Sequence, residues 1–138
     1  MLADLSPLAE KSGEDLWITG SDVLVYRAIF NLVENGVKYN RPGGSVCAAV
    51  SHRGEEAMIE IKDTGCGIPE DFRESVFQPF FRVDKSRSRE KGGVGLGLSL
   101  VWEIVHLHSG DVRVRESGET GTVIEMTLPI SAEEREMP

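Results

Sequence analysis

Cysteine is scarce in this chain of 138 residues, with Cys47 and Cys66 its whole supply. Two thiols cannot build the disulfide framework of a small secreted domain, and neither has neighbours at zinc-ligand spacing. A reducing compartment is therefore expected. Basic residues are also short, 15 Lys and Arg against 23 Asp and Glu, which leaves a formal net charge of −8. A general nucleic-acid surface or an anionic-membrane surface needs the opposite balance. No apolar run approaches the roughly 18 to 20 residues that cross a bilayer. Met1 is not followed by the basic and hydrophobic segments of a leader peptide. The expectation is a cytoplasmic domain with no direct contact to membrane or nucleic acid.

Apolar residues make up 40% of the chain, enough for one hydrophobic core at this length. Residues 1–13 are weakly patterned and read as a linker remnant, residues 14–130 as the folded body and residues 131–138 as a tail. Residues 16–19 read as a short strand. Ser21 is placed to cap a helix that runs to about Tyr39, with Asp22 beside its positive end. Residues 45–50 and 57–61 read as strands joined through a polar turn into an antiparallel hairpin, and residues 111–115 and 122–128 alternate as a second one. Residues 70–76 suit a short helix, and another helix begins near Gly97 and ends around His108. This order predicts an α+β fold: a two-layer sandwich whose mixed, mostly antiparallel sheet is covered on one face by about three helices.

Three stretches carry chemistry. On the first helix Asn31, Asn35 and Lys38 share one stripe, with Arg27 and Glu34 on its flanks and Val25, Ala28, Ile29, Leu32, Val33 and Val37 on the opposite arc. A solvated polar face is the plain reading of such a stripe. Asparagine is a mediocre helix former, however, and its carboxamide oxygen is a neutral hard ligand suited to a magnesium ion shared with phosphates. Lys38 adds a point charge for a phosphate oxygen. The second stretch, Asp63-Thr64-Gly65-Cys66-Gly67-Ile68-Pro69, puts a carboxylate at a strand end where it can accept from an exocyclic amine, with glycines that let a flat ring approach. A calcium turn is the alternative, and the absence of further acids counts against it.

The third stretch, Gly92-Gly93-Val94-Gly95-Leu96-Gly97-Leu98, opens a helix whose free N–H groups form an anion site. It lacks the Gly-Lys-Ser/Thr of a Walker loop and the strand context of a dinucleotide fingerprint. Ahead of it, residues 82–91 are the one basic stretch, containing Arg82, Lys85, Arg87, Arg89 and Lys91. They form either a solvated loop or a lid over phosphates.

Together these residues resemble the motif set of sensor histidine kinases. Residues 31–39 resemble the N box, 63–67 the G1 box, 77–82 the F box and 93–98 the G2 box, in the family's order and spacing. The resemblance implies the Bergerat ATP-binding fold shared with type II topoisomerases, Hsp90 and mismatch-repair ATPases. It implies ATP and Mg2+ as ligands, with Asn35 and Asn31 on the metal, Lys38 on phosphate, Tyr39 lining the adenine pocket and Asp63 on the adenine amine. Gly65, Gly67, Ile68, Phe80, Gly93, Gly95, Leu96, Gly97 and Leu98 would complete the pocket, with Arg82 and Arg87 gripping the triphosphate.

The γ-phosphoryl group would pass to a histidine on a separate dimerisation domain, and from there to a response regulator. Residues 1–13 would then be what remains of the connection to that domain, and the parent protein a possible inner-membrane sensor. The related ATPases carry a glutamate four residues before the magnesium asparagine, where this chain has Asn31. No catalytic residue is therefore assigned to the chain itself, with Glu34 the one candidate base. Gly36 stands where alanine is usual and Ser109 where glycine is common. His52, His106 and His108 lack the sequence pattern of a phosphoacceptor, so structural roles are expected for them. A degenerate nucleotide-gated interaction module and a stand-alone ATPase are the competing readings.

Overall fold

The computed structural model describes residues 2–4, 17–81 and 97–130. Strand β1 (Leu2–Asp4) pairs antiparallel with β2 (Trp17–Thr19), matching Ala3 with Ile18. Helix α1 (Asp22–Lys38) follows, then the hairpin β3 (Val46–Arg53) and β4 (Glu56–Asp63). Two single 3-10 turns (Glu70–Phe72 and Ser75–Phe77) precede helix α2 (Gly97–Leu107), and the hairpin β5 (Asp111–Gly118) and β6 (Gly121–Pro129) closes the fold. The larger sheet has the order β3-β4-β6-β5, so the two hairpins join along β4 and β6.

The expected α+β sandwich is present, with three differences. Every pairing in the described sheets is antiparallel rather than mixed. Residues 70–76, read as a short helix, form the two separate 3-10 turns, so two α-helices rather than three cover the sheet among the described residues. Leu2–Asp4 falls inside the stretch read as linker, yet it forms a strand.

Local chemistry explains the helix ends. The Ser21 hydroxyl accepts the Leu24 N–H at 3.2 Å, with Asp22 in the first turn and Lys38 in the last, so cap and charges both favour α1. Helix α2 ends in a Schellman arrangement: Gly110 N–H reaches the Val105 carbonyl at 2.8 Å and Ser109 N–H the His106 carbonyl at 3.2 Å. That motif needs a left-handed residue, and Ser109 supplies it at φ 61°.

The core lies between the helices and the inner face of the larger sheet. Val25, Ala28 and Leu32 of α1 and Val101, Ile104 and Val105 of α2 meet Val50, Ile59, Ile61, Ile124, Met126 and Leu128. Leu32 is wholly buried, and its truncation to alanine should cost about 3 kcal/mol. Val37, expected on the apolar arc of α1, is instead 62% exposed. It sits at the C-terminal end of the helix, on the side away from Ala28 and Leu32.

His108 ties the two helices together. Its Nδ1 lies 2.8 Å from the Ile104 carbonyl while Nε2 accepts the Ser21 N–H at 3.1 Å, which fixes the neutral Nδ1–H tautomer. His106 stacks on Trp102, its Nδ1 2.7 Å from the Trp102 carbonyl. Both histidines therefore have structural contacts.

Candidate functional site

The end of β4 and the C-terminal half of α1 place the sequence-predicted residues side by side. Asp63 closes β4, paired with Val46 on one side and Thr122 on the other. Its Oδ1 accepts the Gly65 N–H at 2.8 Å and the Thr122 N–H at 3.2 Å. Burial pushes the carboxyl above its ordinary range, and the two backbone donors partly restrain the rise. An acceptor that is half desolvated, with both backbone donors on one oxygen, is suited to a polar ligand atom.

The loop that follows is locked by backbone contact. Gly67 has φ 80°, and a Cβ there would strike the Gly118 carbonyl; Gly121 has φ 135°, and a Cβ there would strike the carbonyl of Asp63. Only glycine suits either position, because left-handed backbone and backbone approach coincide. The 63–68 loop and the β5–β6 turn thus interlock. Ser117 Oγ accepts the Ile68 N–H at 2.6 Å and shares a hydrogen bond with Thr122 Oγ1 at 2.8 Å. A Cβ on Gly65 would meet the Tyr39 carbonyl, so the end of α1 lies against the same loop.

The helix side is held differently. Asn31 Nδ2 reaches the Gly97 carbonyl at 3.4 Å, which brings the first predicted stretch to the start of α2. Lys38 pairs with Glu34 at 3.1 Å, one turn apart, so the candidate base and the candidate phosphate ligand are occupied with each other. The Asn35 side chain makes no hydrogen bond among the described residues. Gly36 explains why the helix comes so close to Asp63: a Cβ there would lie 3.2 Å from Val46 and 3.4 Å from the Asp63 Cβ. Glycine inside a helix costs about 0.5 to 1 kcal/mol relative to alanine, and here that cost is set against a close approach that alanine would crowd.

The structure thus brings Asn31, Asn35, Lys38, Tyr39, Asp63, Gly65, Gly67, Ile68 and Gly97 into one region. Leu98 packs against the core. Phe80 is 68% exposed at φ 63°, and no described contact ties it to Asp63 or the asparagines. Arg82, Arg87, Gly93, Gly95 and Leu96 lie outside the described residues. Sequence reasoning missed Asn40, Arg41, Thr64, Ser117 and Thr122. Thr64 Oγ1 donates to Asn40 Oδ1 at 2.8 Å and accepts the Ser45 N–H at 2.8 Å. Arg41 donates to the carbonyls of Gly65, at 3.0 Å, and Glu119. The strand register, which pairs Thr122 with Asp63, would have pointed to Thr122.

Residues 20–132 match the family described as histidine kinase-, DNA gyrase B- and HSP90-like ATPases. The chain belongs to this ATPase family. Within the family it is 37% identical over 124 residues to the sensor histidine kinase WalK of Bacillus subtilis, covering 88% of this chain and 20% of that protein. It is 39% identical over 112 residues to the sensor-like histidine kinase SenX3 of Mycolicibacterium smegmatis, covering 81% and 29%. Among solved structures, the mycobacterial sensor histidine kinase MprB superposes with a TM-score of 0.79 at 28% identity, covering 94% of this chain and 97% of that one. The chain thus spans about a fifth to three tenths of the length of these curated relatives. Its fold is that of histidine kinase catalytic domains within the ATPase family. Among the described residues no helix is long and apolar enough to cross a membrane.

Proposed function

We propose that the chain is the ATP-binding catalytic domain of a sensor histidine kinase, donating the γ-phosphoryl group of ATP to a histidine on a separate dimerisation domain. The observation that carries this reading is the Asp63 carboxylate, half buried where Gly36 of the asparagine-bearing helix comes close to it and backed by an interlocked glycine loop. In this reading Asp63 accepts from the adenine amine, and Tyr39, Gly65, Gly67 and Ile68 surround the base. Lys38 leaves Glu34 to meet a phosphate oxygen. Gly97, Leu98 and the predicted contributors Phe80, Arg82, Arg87, Gly93, Gly95 and Leu96 enclose the triphosphate.

The donor set fits a magnesium ion that arrives on the nucleotide. No group of three or more His, Cys, Asp or Glu that could hold a metal exists among the described residues, whereas Asn35 and Asn31 offer carboxamide oxygens. Bound there, magnesium would neutralise charge on the β- and γ-phosphate oxygens. Asn35 and Asn31 orient the phosphates, Lys38 supplies fixed positive charge and Asp63 sets the register of the base. Asn31 stands where an ATPase places its water-activating carboxylate, which favours phosphotransfer over hydrolysis. The acceptor imidazole, already nucleophilic when neutral, would come from the partner domain. A response-regulator aspartate would be the next acceptor, on the cytoplasmic side of any membrane that holds the parent.

The test is to incubate the purified chain with γ-labelled ATP and magnesium, alone and with the separately purified histidine-bearing domain of WalK or SenX3. The expected result is label on the added domain and none on the chain alone. Label on neither protein, although ATP binds, would favour the interaction module; steady phosphate release from the chain alone would favour the ATPase.

A further inference from the structure

Arg41 follows the first helix, in a chain where acids outnumber bases 23 to 15. Yet among the described residues it makes no ion pair with any carboxylate. Its Nη2 instead donates to two backbone carbonyls, Gly65 in the loop after β4 and Glu119 in the β5–β6 turn. A guanidinium can serve both because it presents several N–H donors from one rigid plane, and charge-assisted bonds of this kind are stronger than neutral ones. The preceding residue continues the strut: Asn40 Oδ1 accepts from Thr64 Oγ1 at 2.8 Å and its Nδ2 donates to the Ser45 carbonyl at 2.8 Å. The segment after α1 therefore grips the loop after β4 at two successive residues, Thr64 and Gly65.

We infer that Arg41 is a positioning residue for the base pocket, clamping the Gly65 peptide between the end of α1 and the β5–β6 turn so that Asp63 is held in its binding orientation. The inference rests on the nucleotide reading of the site and adds a residue to which that reading gives no role. The Gly65 N–H donates to Asp63 Oδ1, and the Gly65 carbonyl accepts from Arg41, so the guanidinium acts on the carboxylate through one residue. It also couples the base-binding loop to the helix that carries Asn35 and Lys38. Releasing the clamp frees the loop to rotate, and the selectivity of Asp63 for an amine over a carbonyl on the base weakens with it.

The experiment titrates ATP and GTP, each with magnesium, by calorimetry into the whole chain as wild type, Arg41→Ala, Arg41→Lys and Asp63→Asn, with a thermal melt of each variant. Wild-type binding that is lost in Asp63→Asn establishes the pocket, so that the Arg41 variants then test the clamp alone. The clamp predicts an ATP affinity about tenfold lower in Arg41→Ala, a smaller preference for ATP over GTP, a melting temperature close to wild type and partial recovery in Arg41→Lys. An Arg41→Ala variant with wild-type affinity and selectivity would overturn it. So would equal losses for both nucleotides that track a lowered melting temperature, since these mark a purely structural residue. A well-folded wild type that binds neither nucleotide would overturn the nucleotide reading itself.

Discussion

The two sides of the site are built on different principles. Around Asp63 most contacts engage the backbone: peptide donors on the carboxylate, two left-handed glycines pressed against carbonyls, and an arginine and a serine side chain on the loop's peptide groups. Along α1 the contacts are side chains on a helix surface: a 3.4 Å hydrogen bond from Asn31 and a solvent-facing Lys38–Glu34 pair. The first side is shaped before any ligand arrives, as recognition of a rigid planar base requires. The second offers groups that can change partners at small cost, since exposed pairs contribute only about 0.5 kcal/mol. In the proposed nucleotide reading, preorganisation sits where the ligand is rigid, and adaptability where its charge and metal content vary.

The sharpest way to break this comparison is Asp63→Asn. The amide should weaken ATP binding about a hundredfold, because a buried acceptor for an amine becomes partly a donor. Stability should move the other way. A carboxyl whose pKa is raised on folding binds its proton more tightly in the native state, so its own contribution to stability is fullest below the ordinary aspartate range and is lost as pH rises through that raised value. Removing the charge relieves this cost, and the variant should melt at or above the wild-type temperature at neutral pH. By the same sign, ATP affinity of the wild type should fall on acidification, beginning at a higher pH than for an ordinary aspartate. Titrations across pH, with melts in the same buffers, check both halves.

Next in size is Gly67→Ala, which should cost about 2 kcal/mol of stability through strained backbone and the displaced Gly118 peptide, read by denaturant unfolding. Asn35→Ala on the other side should leave stability within about 0.5 kcal/mol of wild type, as a change of a side chain that makes no hydrogen bond among the described residues. It should lower ATP affinity about tenfold with magnesium and little without it, by the loss of one metal ligand. Remote from both sides, Ser109→Gly should stabilise the chain by about 1 kcal/mol, because the left-handed Schellman position suits glycine. Its ATP affinity should not change.

The sequence reveals these regions unevenly, for physical reasons. Helix α1 is readable because a capping serine, a first-turn acid and the burial of Val25, Ala28 and Leu32 all agree. The hairpins are readable because the outer strands β3 and β5 alternate, while the central β4 and β6 are short apolar runs bounded by turn residues. The strand at Leu2–Asp4 is not, since three residues carry no period and no short hairpin turn signal joins it to its partner at Trp17–Thr19. Val37 misleads because it lies on the side of the helix away from Ala28 and Leu32, although its neighbour Gly36 in the same turn is buried. On the site, glycines and acids announce themselves by type, whereas Thr122, Ser117 and Arg41 act through register and backbone carbonyls that residue type alone does not encode. The three-helix expectation fails where residues 70–77 break into two 3-10 turns, a distinction too short for hydrophobic periodicity to make.

The central claim, that a preformed base pocket stands beside an adaptable phosphate face, is tested most directly by titrating the wild-type chain with ATP in magnesium and again in EDTA. The account predicts binding in both, tighter with magnesium, with the magnesium-dependent gain lost in Asn35→Ala and binding lost in Asp63→Asn under either condition. Binding that requires magnesium absolutely, or that survives Asp63→Asn unchanged, would contradict it.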